Sequence, residues 1–311
     1  MGFCAVLTHE HFDKLFLEKD YIYQNMKTKT VLFILALIMV SIHLNAKTAL
    51  VVIAHGAPSP QWNKPVLDLE NRLHSIDIPG ICYKRVTLME FSQPNISSVI
   101  KDCEKQGIDT VFALPLFIAP SSHSEDDIPN ILGLKYDPTV RQTLAEENAD
   151  LVKSNIRFVV GPVLMSSDII EKTMMQRVKE MSKDEKNEGV LILAHGDPDR
   201  IGFWNSLLKR TNDFIKQNSK INYVDTELIG MGQNFANDVI PLINKAKKSK
   251  KRVLVQGIYL MSSVGEMAKY TGLSKNAGEN VVFSNYGILP ESSQQVVNWI
   301  VETTQNWMRT K

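Results

Sequence analysis

The sequence predicts an α/β protein of two tandem lobes, each a roughly four-stranded parallel sheet with helices on both faces. Three observations predict it. After residue 46, apolar runs of strand length alternate with amphipathic stretches of helix length, as in sheets covered on both sides. The apolar runs are nearly continuous, as strands buried on both faces require. The series then starts again: VVIAHGAP at 51–58 returns as LILAHGDP at 191–198, Trp62-Asn63 as Trp204-Asn205, and Ser121-Ser122 as Ser262-Ser263, at offsets of 140, 142 and 141 residues. Three matches in order at nearly constant offset mark an internal duplication.

Taken in order, residues 1–25 are polar and mixed in charge and read as an upstream extension. A basic start at Met26-Lys27-Thr28-Lys29-Thr30 precedes an apolar run from Val31 to Ile42, and a small residue, Ala46, ends the stretch. Residues 26–46 thus have the layout of a secretory signal peptide cleaved after Ala46. The run falls short of the roughly 20 residues a membrane span needs, although an uncleaved anchor and a buried first helix stay open. The expectation is an exported, periplasmic protein that meets a membrane only through this segment before cleavage.

The first lobe is expected over 47–181. Its strands are 48–54 (TALVVIA), 83–88, 109–118 (DTVFALPLFI) and 156–161; its helices are 62–75, 96–104, 127–134, 139–151 and 169–181. A charged stretch, 182–189 (SKDEKNEG), links it to a second lobe over 190–311, whose first strand is 190–194 and whose third is 253–260. The 35 basic and 34 acidic residues leave a net charge of +1, which gives no support to a nucleic-acid partner. The three cysteines, Cys4, Cys82 and Cys103, form no CxxC pair; Cys82 and Cys103 stand either as a disulfide or as free thiols.

Ligands of parallel sheets bind beyond the carboxyl ends of the strands. Three metal-ligating residue types fall at such ends: His55 after the first strand, Glu90 after the second, in LMEFSQPNI (88–96), and His123 after the third, in PLFIAPSSHSEDDIP (115–129). Gly56 lets the chain turn tightly beside His55. Asp127 reads as the N-cap of the next helix, and Asp126 as part of a solvated acidic turn. Two imidazoles and a carboxylate suit a divalent first-row metal such as cobalt, iron or nickel, and imidazole also exchanges protons near neutral pH. Each residue has a plainer reading: a histidine capping a strand–loop junction, a glutamate pointing outward, a loop histidine in solvent.

On AHGAP (54–58), LMEFSQPNI and PLFIAPSSHSEDDIP the chain resembles the sirohydrochlorin cobaltochelatase and ferrochelatase family, the class II, ATP-independent chelatases. The resemblance implies a lyase-type enzyme of cobalamin or sirohaem assembly that inserts a divalent metal into a tetrapyrrole such as sirohydrochlorin. The metal ion is then a substrate, Co2+ first and Fe2+ or Ni2+ as alternatives, and no ATP or nucleotide is expected. His55, Glu90 and His123 map onto the metal ligands in an inter-lobe cleft, with His55 and His123 catalytic and a histidine taking up pyrrole protons. The family often has Gly-His-Gly-Ser where this chain has Ala54-His55-Gly56-Ala57, so a loop hydroxyl is missing. The second lobe keeps His195, a possible secondary ligand, but has Val264 at the place of His123 and Gly230-Met231-Gly232 at that of Glu90. The alternative is an exported metal, haem or tetrapyrrole binder without turnover. Arg85, Lys135, Arg141 and Arg200 are of a type that could meet the substrate's carboxylates, although solvated surface charge is their plainer reading.

Overall fold

The computed structural model describes Met26, Lys27, Thr30 and residues 46–311 except Met231. The extension and nearly all of the signal segment therefore lie outside the described residues. The chain divides into two units, Met1–Ala46 and Lys47–Lys311. In the first, Met26, Lys27 and Thr30 are helical, and Thr30 Oγ1 donates to the Met26 carbonyl at 2.9 Å. Among the described residues no helix is long and apolar enough to cross a membrane.

The second unit begins with β1 (Thr48–Ala54), α1 (Pro60–His74), β2 (Ile81–Leu88), α2 (Ile96–Lys105), β3 (Thr110–Pro115), α3 (Ile128–Ile131), α4 (Pro138–Glu146), β4 (Arg157–Val160) and α5 (Ile169–Met181). It continues with β5 (Glu188–Ala194), α6 (Ile201–Asn218), β6 (Tyr223–Leu228), α7 (Phe235–Lys247), β7 (Arg252–Ile258), α8 (Val264–Tyr270), α9 (Leu273–Asn276), β8 (Val281–Phe283) and α10 (Ser293–Thr310). The strands form two four-stranded sheets of orders β2-β1-β3-β4 and β6-β5-β7-β8, parallel throughout. This is the α/β architecture the alternating pattern predicts, and the two sheets repeat one order.

The runs at β1 and β5 are buried end to end because each is an inner strand with helices on both faces. Side chains alternate across a strand. Leu50, Val52 and Ala54 face one apolar core and Ala49, Val51 and Ile53 another. The first of these cores is shared by both lobes, since it also takes Val190, Ile192 and Ala194 of β5. It is filled by α1 (Val66, Leu69), α5 (Met174, Val178), α6 (Leu207, Ile215) and α10 (Val297, Ile300). Helix α5 follows the first sheet in sequence but packs on α6 and β7 of the second. Helix α10, the last element, returns to the first: the Trp307 ring stacks on Phe112 at 4.4 Å, and Lys311 Nζ donates to Thr48 Oγ1 at 3.0 Å.

Several element ends differ from expectation for local reasons. Helix α1 starts earlier because Pro60 suits a first helical turn. Helix α4 stops at Glu146 because Asn148 turns left-handed, at φ 56°. The charged linker is exposed at Lys183, Asp184 and Lys186 and ends inside the fold. Glu188 and Gly189 open β5, and the Glu188 carboxylate is buried. Burial pushes the Glu188 pKa up, but bonds from Ser182 Oγ, the Lys183 N–H and Arg252 outweigh this and hold it below the usual carboxylate range. Cys82 and Cys103 are both free thiols, and burial pushes the Cys103 thiol up to about 12.

Candidate metal centre

The sheet order brings the three strand ends together. Strand β1 lies between β2 and β3, all three run the same way, and their carboxyl ends share one edge. The β1–β2 pairing continues past both strands. The Met89 N–H donates to the Ala54 carbonyl at 2.8 Å and the Glu90 N–H to the His55 carbonyl at 2.9 Å, which fixes Glu90 beside His55. Gly56 makes this approach possible. Its φ is 96°, and a Cβ there would sit 2.3 Å from the Glu90 carbonyl oxygen. The next residues are held by Asn63 of α1, whose side chain accepts from the Ala57 N–H at 2.9 Å and donates to the Ala57 carbonyl at 2.8 Å. The same Asn63 Nδ2 donates to Ser92 Oγ at 3.0 Å, so one buried amide ties the His55 loop to the Glu90 loop.

The start of the His123 loop is anchored on two sides. The Leu116 N–H donates to the Ile53 carbonyl at 2.7 Å, and the Phe117 carbonyl accepts from the Leu164 N–H at 2.9 Å. Residues His123–Asp127 then form one wide π-helical turn that leads into α3. This turn overturns the expected role of Asp127. Its side chain caps no helix but reaches back to His123, with Oδ2 2.7 Å from Nδ1. A carboxylate accepts, so His123 Nδ1 carries the hydrogen and the ring's lone pair is left at Nε2. By the same reasoning His55 Nδ1 donates to the Gly56 carbonyl at 2.6 Å and keeps its lone pair at Nε2.

One ligand-type atom from each of His55, Glu90 and His123 lies within 4.8 Å of the others, the sole such group of three among the described residues. Glu90 sits between the rings, with Oε2 3.9 Å from His55 Nε2 and Oε1 3.8 Å from His123 Nδ1. The rings meet edge to face, with centroids 4.7 Å apart. The Glu90 side chain is only 11% exposed, against 36% and 32% for the two histidines. Its burial raises the pKa above the ordinary carboxyl value, against the pull of His55 and His123, and the charges of Glu147 and Asp127 add to the rise. For His123, burial disfavours the imidazolium, but the bond and charge of Asp127, with Glu90 and Glu147, win and raise its pKa. The site thus concentrates negative charge around two imidazoles, which suits a cation of charge two.

The other expected residues lie elsewhere. His195 occupies the matching position after β5, is exposed, and belongs to no such group. Val264 is buried at the start of α8, and Gly230 and Gly232 stand at the place of Glu90, so the second lobe offers no matching ligands there. Arg85 is taken up by Glu70 at 3.1 Å and Asp102 at 3.4 Å. Arg141 lies over the Tyr136 ring at 4.4 Å and donates to the Lys135 carbonyl. Asp126 is not the solvated acid expected of its turn: it is half-buried and accepts from Arg200 Nη2 at 2.8 Å and Lys135 Nζ at 3.4 Å. Sequence reasoning missed two features. Phe91 sits beside His55, ring centroids 6.1 Å apart, with φ 62° and its side chain largely exposed. Asp197 lies in the second lobe, and its contact with the His123 turn spans 75 residues of sequence.

Comparison with known proteins fits this geometry. Residues 49–181 match the CbiX family model. The sirohydrochlorin cobaltochelatase of Methanococcus maripaludis is 36% identical over 86 residues, 28% of this chain and 58% of that protein. The chain spans about three fifths of the length of the curated relatives it matches first. SirB from Bacillus subtilis, solved with Fe3+, superposes with a TM-score of 0.63 at 17% identity, covering 84% of this chain and 97% of SirB. The cobalt complex of the sirohydrochlorin chelatase SirB from Bacillus subtilis subspecies spizizenii gives 0.58 at 16% identity, covering 84% and 96%. Residues 49–181 are thus similar to the CbiX family, and the chain as a whole carries the fold of SirB.

Proposed function

We propose that this protein inserts a divalent metal ion into a tetrapyrrole of the sirohydrochlorin type, with cobalt the first expectation and iron or nickel the alternatives. The observation that carries the reading is the convergence of His55, Glu90 and His123 at three neighbouring strand ends. The SirB structures with iron and with cobalt support the choice of a first-row metal.

The residues supply a simple exchange. Two imidazole nitrogens and one carboxylate oxygen hold the ion. Insertion makes new metal–nitrogen bonds to the macrocycle, breaks the bonds to the protein, and releases two pyrrole protons. Each ligand that lets go of the metal becomes a free base, so an imidazole and the Glu90 carboxylate can take those protons. Glu90 suits this role because its burial makes it more basic than an ordinary carboxylate. A cleft that favours a distorted macrocycle, with its lone pairs aimed at the metal, would lower the barrier by differential binding.

The signal-type segment at 26–46 supports placement of this activity outside the cytoplasm. The second lobe's lack of ligands at the matching positions favours one asymmetric site per chain. A carrier that binds metal or tetrapyrrole without turnover is the second reading, favoured by the same signal-type segment. Anaerobic mixing of the protein with Co2+ and sirohydrochlorin, followed by absorption, separates the two. Insertion faster than the protein-free rate supports the enzyme; tight binding of either ligand at the protein-free rate supports the carrier.

A further inference from the structure

The second lobe carries no ligand of the metal group, yet two of its side chains reach the turn that carries His123. Asp197 follows the repeated Ala194-His195-Gly196, where the first lobe has Ala57. Its carboxylate is divided. Oδ1 accepts from the Asp199 N–H at 2.9 Å and so caps the short helical turn Pro198–Arg200. Oδ2 accepts from the Ser122 N–H at 3.1 Å, across the lobe boundary, at the start of the His123 turn. Arg200 ends the same short turn and donates through Nη2 to Asp126 Oδ2 at 2.8 Å.

Each contact lands on the residue just before a member of the His123–Asp127 pair: Ser122 precedes His123, and Asp126 precedes Asp127. His55 and Glu90, by contrast, are fixed to one another within the first lobe by strand pairing and by Asn63. One of the three ligands is therefore held from both lobes and two from the first alone. We infer that Asp197 and Arg200 form an inter-lobe clasp that positions His123, so that the grip on the metal ion depends on the spacing of the lobes. Separation of the lobes pulls His123 away from His55 and Glu90 and loosens the ion. This rests on the metal-site reading above. It gives the second lobe a part in the reaction even though it supplies no ligand.

The test uses Co2+ alone as probe, with the full chain, and reads affinity by calorimetry and coordination by the ligand-field absorption of cobalt. Asp197→Ala and Arg200→Ala are each expected to weaken Co2+ binding about tenfold, the low end for removing a group that orients a metal ligand. Both should also change the cobalt spectrum and speed amide hydrogen exchange over residues 121–127 of the metal-free protein. Arg200→Lys, which keeps a donor, should recover most of the affinity, whereas Asp197→Asn, whose single carbonyl oxygen cannot accept from both the Asp199 and the Ser122 N–H, should not. Should Asp197→Ala misfold, Arg200→Ala carries the test, because the Arg200 side chain makes no cap bond to the helix that follows and, besides Asp126, bonds only the exposed Asp199 carbonyl. Unchanged affinity, spectrum and exchange in Arg200→Ala overturn the clasp, while loss of Co2+ binding in His123→Ala keeps the metal site standing. Failure of the parent protein to bind Co2+ overturns both.

Discussion

Asp127 Oδ2 stands 2.7 Å from His123 Nδ1, one turn along the same π-helical segment, and decides which face of the imidazole is offered to a metal ion. The bond fixes the tautomer and the ring's orientation and raises the basicity of Nε2. Asp127→Ala is expected to lower Co2+ affinity by about 10- to 100-fold, while Asp127→Asn, which still accepts from Nδ1, loses less. Calorimetric titration of the three proteins checks the order.

Metal binding should strengthen as pH rises. His123 must be neutral to ligate and Glu90 ionised, and both pKa values lie above their ordinary positions. Protons therefore compete with the metal to a higher pH than they would at free side chains. The metal-free fold behaves in the opposite sense. Both groups hold protons more tightly when folded, so their contribution to stability is present at low pH and lost as pH rises through the raised values. Affinity and melting temperature measured from about pH 5 to about pH 8, where imidazole titrates, should move in opposite directions.

The backbone at Gly56 is under a stricter demand than its repeat at Gly196. Gly56→Ala forces a left-handed alanine and drives its Cβ into the Glu90 carbonyl. The left-handed backbone costs about 1–2 kcal/mol by itself, and relief of the collision displaces Glu90. Gly196→Ala meets only the flexible Leu228 side chain, at 3.2 Å. A lower melting temperature is expected in both, with loss of Co2+ affinity confined to Gly56→Ala.

Arg85 marks the limit of charge-based reasoning about substrate contacts. Its guanidinium is spent on Glu70, Tyr83 and Asp102. Arg85→Met should therefore lower thermal stability without changing the KM for tetrapyrrole in a steady-state assay. A raised KM with unchanged stability would place it on the substrate.

The legible parts of the site were those that a single strand end can announce. His55, Glu90 and His123 each follow an apolar run, and a ligand-type side chain at such a place is conspicuous. That the three ends adjoin depends on β1 lying between β2 and β3, which no local pattern encodes. Asp127 was misread because Asp-Ile-Pro resembles a helix start, whereas the extra residue of the π turn swings its carboxylate back over His123. The helices show the same divide. Their apolar stripes tell that α5 and α10 bury a face, but not that each buries it partly against the other lobe's elements. Asp197 was invisible for the same reason: its partner, Ser122, is remote in sequence.

The central claim is that His55, Glu90 and His123 act as one centre that passes a metal ion to a tetrapyrrole. Its most direct test is the rate of cobalt insertion into sirohydrochlorin, followed by absorption, for the parent protein and for His55→Ala, Glu90→Gln and His123→Ala. The expected result is a parent rate well above the protein-free rate, and a fall toward that background in each variant while its circular dichroism matches the parent. Insertion by His123→Ala at the parent rate, or a parent rate no faster than background with Co2+, Fe2+ or Ni2+, would contradict it.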